Sequence, residues 1–283
     1  MRTVKLKSVL EAVCRKEGLD VAQIDSVQTD LGSFINFRLR QGWNWEWWPE
    51  TMVTEQRNYG RGSYFNGVTY ALGEIVWDAA GEKYYESLQD GNVGNLLSEI
   101  AWWAEASEFD RFVEWDQVEK DAIGRVRGTY MRNPRLKAKP GEMNFEQSAN
   151  GVQISALAGN SVWLDYQKKP PTFTSVSYSA TTDYSVGDVA YDSTSGECYR
   201  ALLANGPSSF VKAVTNTFYW IKVDFPYFLE RFVVSAAYSD LLASDGQTGK
   251  SIAEEERAMD ILMDAADTVA PQRWAETVAY SRT

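Results

Sequence analysis

Apolar residues recur at helical spacing at both ends of the chain and change to short alternating runs between them. Leu6, Val9, Leu10 and Val13 fall on one helical face, with Gly18 placed to stop it. Leu31, Phe34, Ile35, Leu39 and Trp43 keep the same period, with Asp30 near the start and Pro49 just beyond the end. Towards the other terminus, Pro226 suits a first helical turn, Phe228, Leu229, Phe232, Val233 and Ala236 supply a face, and Asp245-Gly246 ends it. The stretch SIAEEERAMDILMDAADTVA puts Ile252, Met259, Leu262, Ala266 and Val269 on a last stripe. Pro271 is its expected terminator, leaving a polar tail from Gln272 to Thr283. None of these helices is long enough to be stable alone, so the two from each end are expected to pack together.

From Tyr59 to Pro226 the runs are rich in Val, Tyr, Thr and Trp and are broken by Gly, Asn, Asp and Pro, a β signature. The expected fold is α+β, a helical bundle formed by the N- and C-terminal segments with a central all-β insertion. Within the insertion YALGEIVWDAAGEKYYESLQDG, beginning at Tyr70, returns as YSVGDVAYDSTSGECYRALLANG, beginning at Tyr184. Aligned on Gly73 and Gly187, the copies match Glu74 with Asp188, Trp77 with Tyr191, Asp78 with Asp192, Tyr85 with Tyr199 and Leu88 with Leu202, without a gap. This is a duplication. The segment between them has its own strand runs, GVQISA and SVWLDY, and turns at Asn150-Gly151 and Gly159-Asn160. Four regions follow: residues 1–58 plus 226–283 as the bundle with its tail, 59–115 and 178–225 as small repeat modules, and 116–177 as a small β unit.

Composition narrows the function. The chain of 283 residues carries a net charge of −11, which argues against wrapping nucleic acid because phosphate affinity needs Lys and Arg. It has no His, which removes His-based triads and most zinc sites. Its two cysteines, Cys14 and Cys198, form no metal-ligand pattern and are expected as buried thiols. No phosphate-binding loop or nucleophile motif occurs, so catalytic residues, metals and cofactors are not expected. The densest carboxylate run, AEEERAMD, reads as a solvated helix face. No signal-peptide run and no stretch of membrane-spanning length is present, and the expectation is a soluble protein made in a cytoplasm, with no membrane partner. The 11 Trp and 15 Tyr exceed ordinary core needs. In QGWNWEWWPE a single helix does not easily bury Trp43, Trp45, Trp47 and Trp48 against one core, so beside ordinary core or capping use these are candidate assembly contacts.

The end helices, with FINFRLRQGWNWEWWPE at the front and FLERFVVSAAYSDLLASDGQTGKSIAEEERAMDIL at the back, resemble head-to-tail adaptor proteins of tailed bacteriophages. The middle RNPRLKAKPGEMNFEQSANGVQISALAGNSVWLDYQKKPPTFT is similar to the β insertion of phage neck proteins of this type. The resemblance implies a virion protein in the neck, a dodecameric ring bound to the portal protein and to a downstream tail or nozzle protein, with DNA passing through. Between Asp224 and Thr283 there are 11 acidic and 5 basic residues. A negative wall would keep DNA mobile, which makes Glu254, Glu255 and Asp260 candidate channel-facing residues. Trp274 and Tyr280 of the tail are candidate assembly contacts, with the portal or with a neighbouring adaptor chain. The repeats separately resemble chitin-binding modules of carbohydrate-binding family 5/12. That resemblance makes Tyr85, Trp103, Tyr199 and Trp220 candidate glycan contacts, and a host polysaccharide the partner in the alternative reading. The adjacent Trp pair usual in the sugar-binding members is replaced by Leu88-Gln89 and Leu202-Leu203, which favours a structural or surface-decorating role over weak glycan contact.

Overall fold

The computed structural model describes residues 2–18, 24–58, 63–106, 112–114, 123–136, 139–148, 151–154, 161–207 and 211–280. Side chains are described over the same ranges except 24–30, 58, 114 and 270–280. The protein is mixed α+β, with four α-helices and several small antiparallel sheets among the described residues. It divides into two compact units, one made of Met1–Thr51 and Lys169–Thr283, the other of Met52–Lys168.

The first unit contains β1 (Thr3–Val4), α1 (Leu6–Glu17), α2 (Ile24–Trp45), α3 (Tyr227–Ser244) and α4 (Thr248–Tyr280). Gly18 caps α1 at φ 78°, a left-handed value that an L side chain adopts only under strain. Val9, Leu10 and Val13 of α1, Leu31, Ile35 and Leu39 of α2, Leu229, Phe232 and Val233 of α3, and Ala258 and Leu262 of α4 meet in one core. Each fully buried Leu there contributes about 2 kcal/mol of transfer free energy. At Gly42 a Cβ would stand 2.7 Å from the Phe232 ring, so α2 and α3 cross at a distance only glycine permits.

Two helix boundaries differ from the sequence pattern. Helix α2 begins at Ile24, ahead of Asp30, because the polar start of the segment is compatible with helix once its later turns are anchored. Helix α4 does not stop at Pro271 but runs to Tyr280, so the segment expected as a non-helical tail is helical. A proline inside a helix costs about 3 kcal/mol, but it removes only one backbone donor. Ala265, Ala266, Ala270, Ala275 and Ala279, on either side of it, are the strongest helix formers. The apolar stripe of α4 is also shifted: Ile252 is exposed, and Ala258 takes its expected place in the core.

The same unit holds β12 (Val189–Asp192), β13 (Glu197–Ala201) and β14 (Trp220–Val223), a three-stranded antiparallel sheet, and β15 (Phe225–Pro226), which pairs with β1. Tyr191 and Cys198 of this sheet reach the helical core. The second copy of the repeat is therefore packed on the bundle.

The other unit contains the first copy: β3 (Ile75–Asp78), β4 (Lys83–Ser87) and β5 (Trp103–Glu105), again three antiparallel strands. With it are β2 (Met52–Asn58), β7 (Ile123–Tyr130), β8 (Glu142–Met143) and β11 (Ser161–Lys168), in the order β2-β11-β7-β8. A third sheet orders β6 (Phe112–Glu114), β10 (Gly151–Ile154) and β9 (Phe145–Gln147) as β6-β10-β9. Along β11 the period-two alternation buries Val162, Leu164 and Tyr166 on one face, where they join Val126, Val152 and Tyr84. Met52 pairs with Gln167, so this unit begins and ends on neighbouring strands.

Candidate functional site

The duplicated module is built around three aromatic rings in each copy. In the first, Tyr64 and Tyr70 stack at 6.1 Å, and Trp103 meets them edge-on at 5.7 and 5.2 Å. In the second, Tyr178 and Tyr184 stack at 5.6 Å, and Trp220 meets them at 5.7 and 5.1 Å. The polar ends of the rings are satisfied alike. Trp103 Nε1 donates to the Asn95 carbonyl and Trp220 Nε1 to the Lys212 carbonyl, both at 3.1 Å. The Tyr70 hydroxyl accepts from the Phe65 N–H, and the Tyr184 hydroxyl from the Ser179 N–H. Buried Asn92 and Asn205 each bridge back, through both backbone groups, to the first tyrosine of the repeat. Gly73 and Gly187 take φ 80° and 94°, which is why the alignment pivots on them.

This geometry corrects the sugar-platform reading of Trp103 and Trp220. They are 2% and 1% exposed, so neither ring can stack on a pyranose. Tyr85 and Tyr199 are half-buried on the middle strand of each sheet, packed against the clusters that contain those tryptophans. Tyr64, Tyr178, Asn92 and Asn205 went unrecognised in the sequence. The signal for the first pair was present: Tyr64 stands before Tyr70 at the spacing that separates Tyr178 from Tyr184.

The tryptophan run resolves into different roles. Trp43 is buried on α2; Trp48 is buried past its end, with Nε1 donating to the Gly42 carbonyl at 2.8 Å and its ring 5.2 Å from Phe228. Trp47 is half-buried, whereas Trp45 is 46% exposed, and Phe37 two turns earlier is exposed as well. The side chains of Trp274 and Tyr280 lie outside the described residues.

The reading of AEEERAMD as a solvated face holds for Glu256, Arg257 and Asp260 and is corrected for Glu254 and Glu255. Glu254 accepts from Lys16 Nζ at 2.6 Å, and the same ammonium donates to Ser235 Oγ and lies over the Tyr238 ring, tying α1 to α3 and α4. Arg38 of α2 grips Asp240 with Nε and Nη2 at 2.8 and 2.6 Å and reaches Glu255 with Nη1 at 2.7 Å. The hydrogen bonds to Asp240 hold its guanidinium more firmly protonated than usual, against the opposing effect of burial. Glu254 and Glu255 thus face partner helices, because both basic residues project from the packed sides of α1 and α2. Asp260 alone of the three candidate channel residues is exposed. Arg38 had a sequence signal too: it interrupts the apolar stripe of Leu31, Ile35 and Leu39.

Cys14 and Cys198 are free thiols buried in the helical core, as expected. Burial raises both, Cys198 to about 11. Among the described residues no cluster of three His, Cys, Asp or Glu is placed to hold a metal ion, and no helix is long and apolar enough to cross a membrane. A half-open groove of about 360 Å³ is lined by Tyr227, Phe228, Arg231, Ile261, Asp264, Ala265 and Thr268, between α3 and the second half of α4. No protein-family model, no curated protein and no solved structure matches this chain.

Proposed function

We propose that the chain is a head-to-tail adaptor of a tailed bacteriophage, a ring-forming virion protein that joins portal to tail around the DNA path. The observation that carries this reading is the single core made by helices from opposite ends of the chain, joined by Arg38 and Lys16, in a unit distinct from residues 52–168. A bundle with β decoration suits a protein whose work is assembly: the helices give each copy a rigid body, and the loops widen its surface. Exposed Phe37 and Trp45 on α2, and the groove between α3 and α4 beside exposed Tyr227, with its mixed polar and apolar lining, offer surfaces for a neighbouring subunit or the portal. The acidic excess of the C-terminal helices supports passage of DNA without adhesion, with Asp260 the remaining candidate on that wall. The test is negative-stain imaging of the purified full chain with and without portal. Rings seated on portal are expected; monomers that ignore portal and are retained on chitin or cell-wall material would overturn the reading.

A further inference from the structure

The connection between β7 and β8 carries positive charge in an acidic protein: its described residues, 131–136 and 139–141, hold Arg132, Arg135 and Lys139 and no carboxylate. Its stem is held where Met131 and Arg132 donate from their N–H groups to the Gly141 and Pro140 carbonyls, and a turn follows in which Asn133 Oδ1 accepts from the Arg135 N–H. Leu136 at the tip is 76% exposed and Met131 is half exposed. The side chains of Arg132 and Lys139 have no hydrogen-bond or ion-pair partner among the described residues. Arg135 donates from Nε to Thr54 Oγ1 at 3.0 Å, so the bare cations are Arg132 and Lys139; with the exposed Leu136 they call for an acidic surface with apolar gaps.

The first module is such a surface. Between Ser63 and Ala106 seven carboxylates stand against Lys83 alone, and Lys83 is already paired with Glu105 at 2.7 Å. Its acids sit among exposed apolar side chains: Glu99 Oε1 accepts from the Leu96 N–H, Asp90 Oδ1 accepts from the Leu72 N–H, and the neighbouring Ile100 is 87% exposed. The second module shows that the fold does not require this charge. There Arg200 stands where the first has Glu86, Asn216 where it has Glu99, and five carboxylates are balanced by three cations.

We infer that the β7–β8 hairpin of one copy docks on the first module of a second copy of this chain. Because the two patches are different, the contact is head-to-tail, and copies joined in this way close into a ring when the rotation between them permits. The inference deepens the adaptor reading by naming the contact between copies, but it is tested without portal.

The test is a charge exchange in the full chain, read by light-scattering mass in low and high salt. One variant carries Arg132→Glu and Lys139→Glu. The other carries Glu86→Arg, the residue of the second module, and Glu99→Lys. Each alone is expected to self-associate at least tenfold more weakly than wild type, since like charges then face each other. Mixed, they should recover association, because each supplies the complement of the other, and salt should weaken both the wild type and the mixture. Circular dichroism establishes that each variant is folded. Wild-type self-association unaffected by either variant, or variants that stay apart when mixed, would overturn the inference. So would a hairpin variant that associates normally but loses retention of duplex DNA, which would assign the cations to nucleic acid. Portal binding by wild type in those cases would leave the adaptor reading standing.

Discussion

At the scale of single residues, the duplicated aromatic trio decides what the modules can do. Trp103→Ala or Trp220→Ala removes a buried indole packed against two stacked tyrosines and is expected to destabilise its module by about 3–5 kcal/mol. Denaturant unfolding followed by Trp fluorescence would measure it, and a change below about 1 kcal/mol would mean the ring is not core. Cys198 gives a prediction in pH. Its thiol is raised from 9.0 to about 11 by burial, so the stability it carries is present below its ordinary value and is lost as pH rises through about 11. The wild type should therefore lose denaturant midpoint between those limits faster than Cys198→Ala does; parallel curves would take the thiol out of the account. These residues were legible in the sequence only as a repeated frame. Which aromatic faces inward depends on the close approach of strands, and a one-dimensional pattern of Tyr and Trp does not distinguish a sugar platform from a packed trio.

At the scale of elements, the apolar stripes predicted all four helices, because a 3.6-residue period needs no tertiary knowledge. What escaped was the pairing of charges between them. Arg38 looked like an ordinary helix cation, and Glu254 and Glu255 like a wet face, until α2 and α4 were brought to the same side of α3. Arg38→Met should cost about 3 kcal/mol, since it leaves Asp240 and Glu255 facing an apolar side chain with no cation. Combining it with Asp240→Leu and Glu255→Leu should recover much of that loss, as measured by thermal unfolding; no recovery would mean that the packing of the guanidinium matters and its charge does not. The continuation of α4 through Pro271 was illegible for another reason. Proline is a strong local signal, and here local propensity on both sides of it outweighs one missing donor.

At the scale of the molecule, the two units have separate cores, and the chain passes between them only at Thr51–Met52 and Lys168–Lys169. Since Met52 and Gln167 are paired, a short Gly-Ser linker can replace the whole of Met52–Lys168. The shortened chain is expected to keep its helical circular dichroism and a cooperative melt, and loss of both would show that the bundle depends on the β unit. The sequence located the β region but did not reveal that its two repeats belong to different units. That difference arises from Tyr191 and Cys198, which fit a helical core, whereas Trp77 and Tyr84 in the first copy join strands of their own unit. The exchange of the Lys83–Glu105 pair for Glu197–Lys222, at 2.7 Å in both, shows the same cross-strand position kept with the signs reversed.

The discontinuity of the first unit has a consequence during synthesis. Lys16 and Ser235, which touch in the finished bundle, are separated by 219 positions, so the stripe of α2 leaves the ribosome long before α3 exists to cover it. At ordinary elongation rates that wait is on the order of ten seconds or more, while the β unit, complete in one stretch, can close within it. Nascent chains of this protein therefore carry Leu31, Ile35 and Leu39 bare beside an already folded β unit, and those three side chains are where a ribosome-bound chaperone would be expected to crosslink until Phe232 emerges.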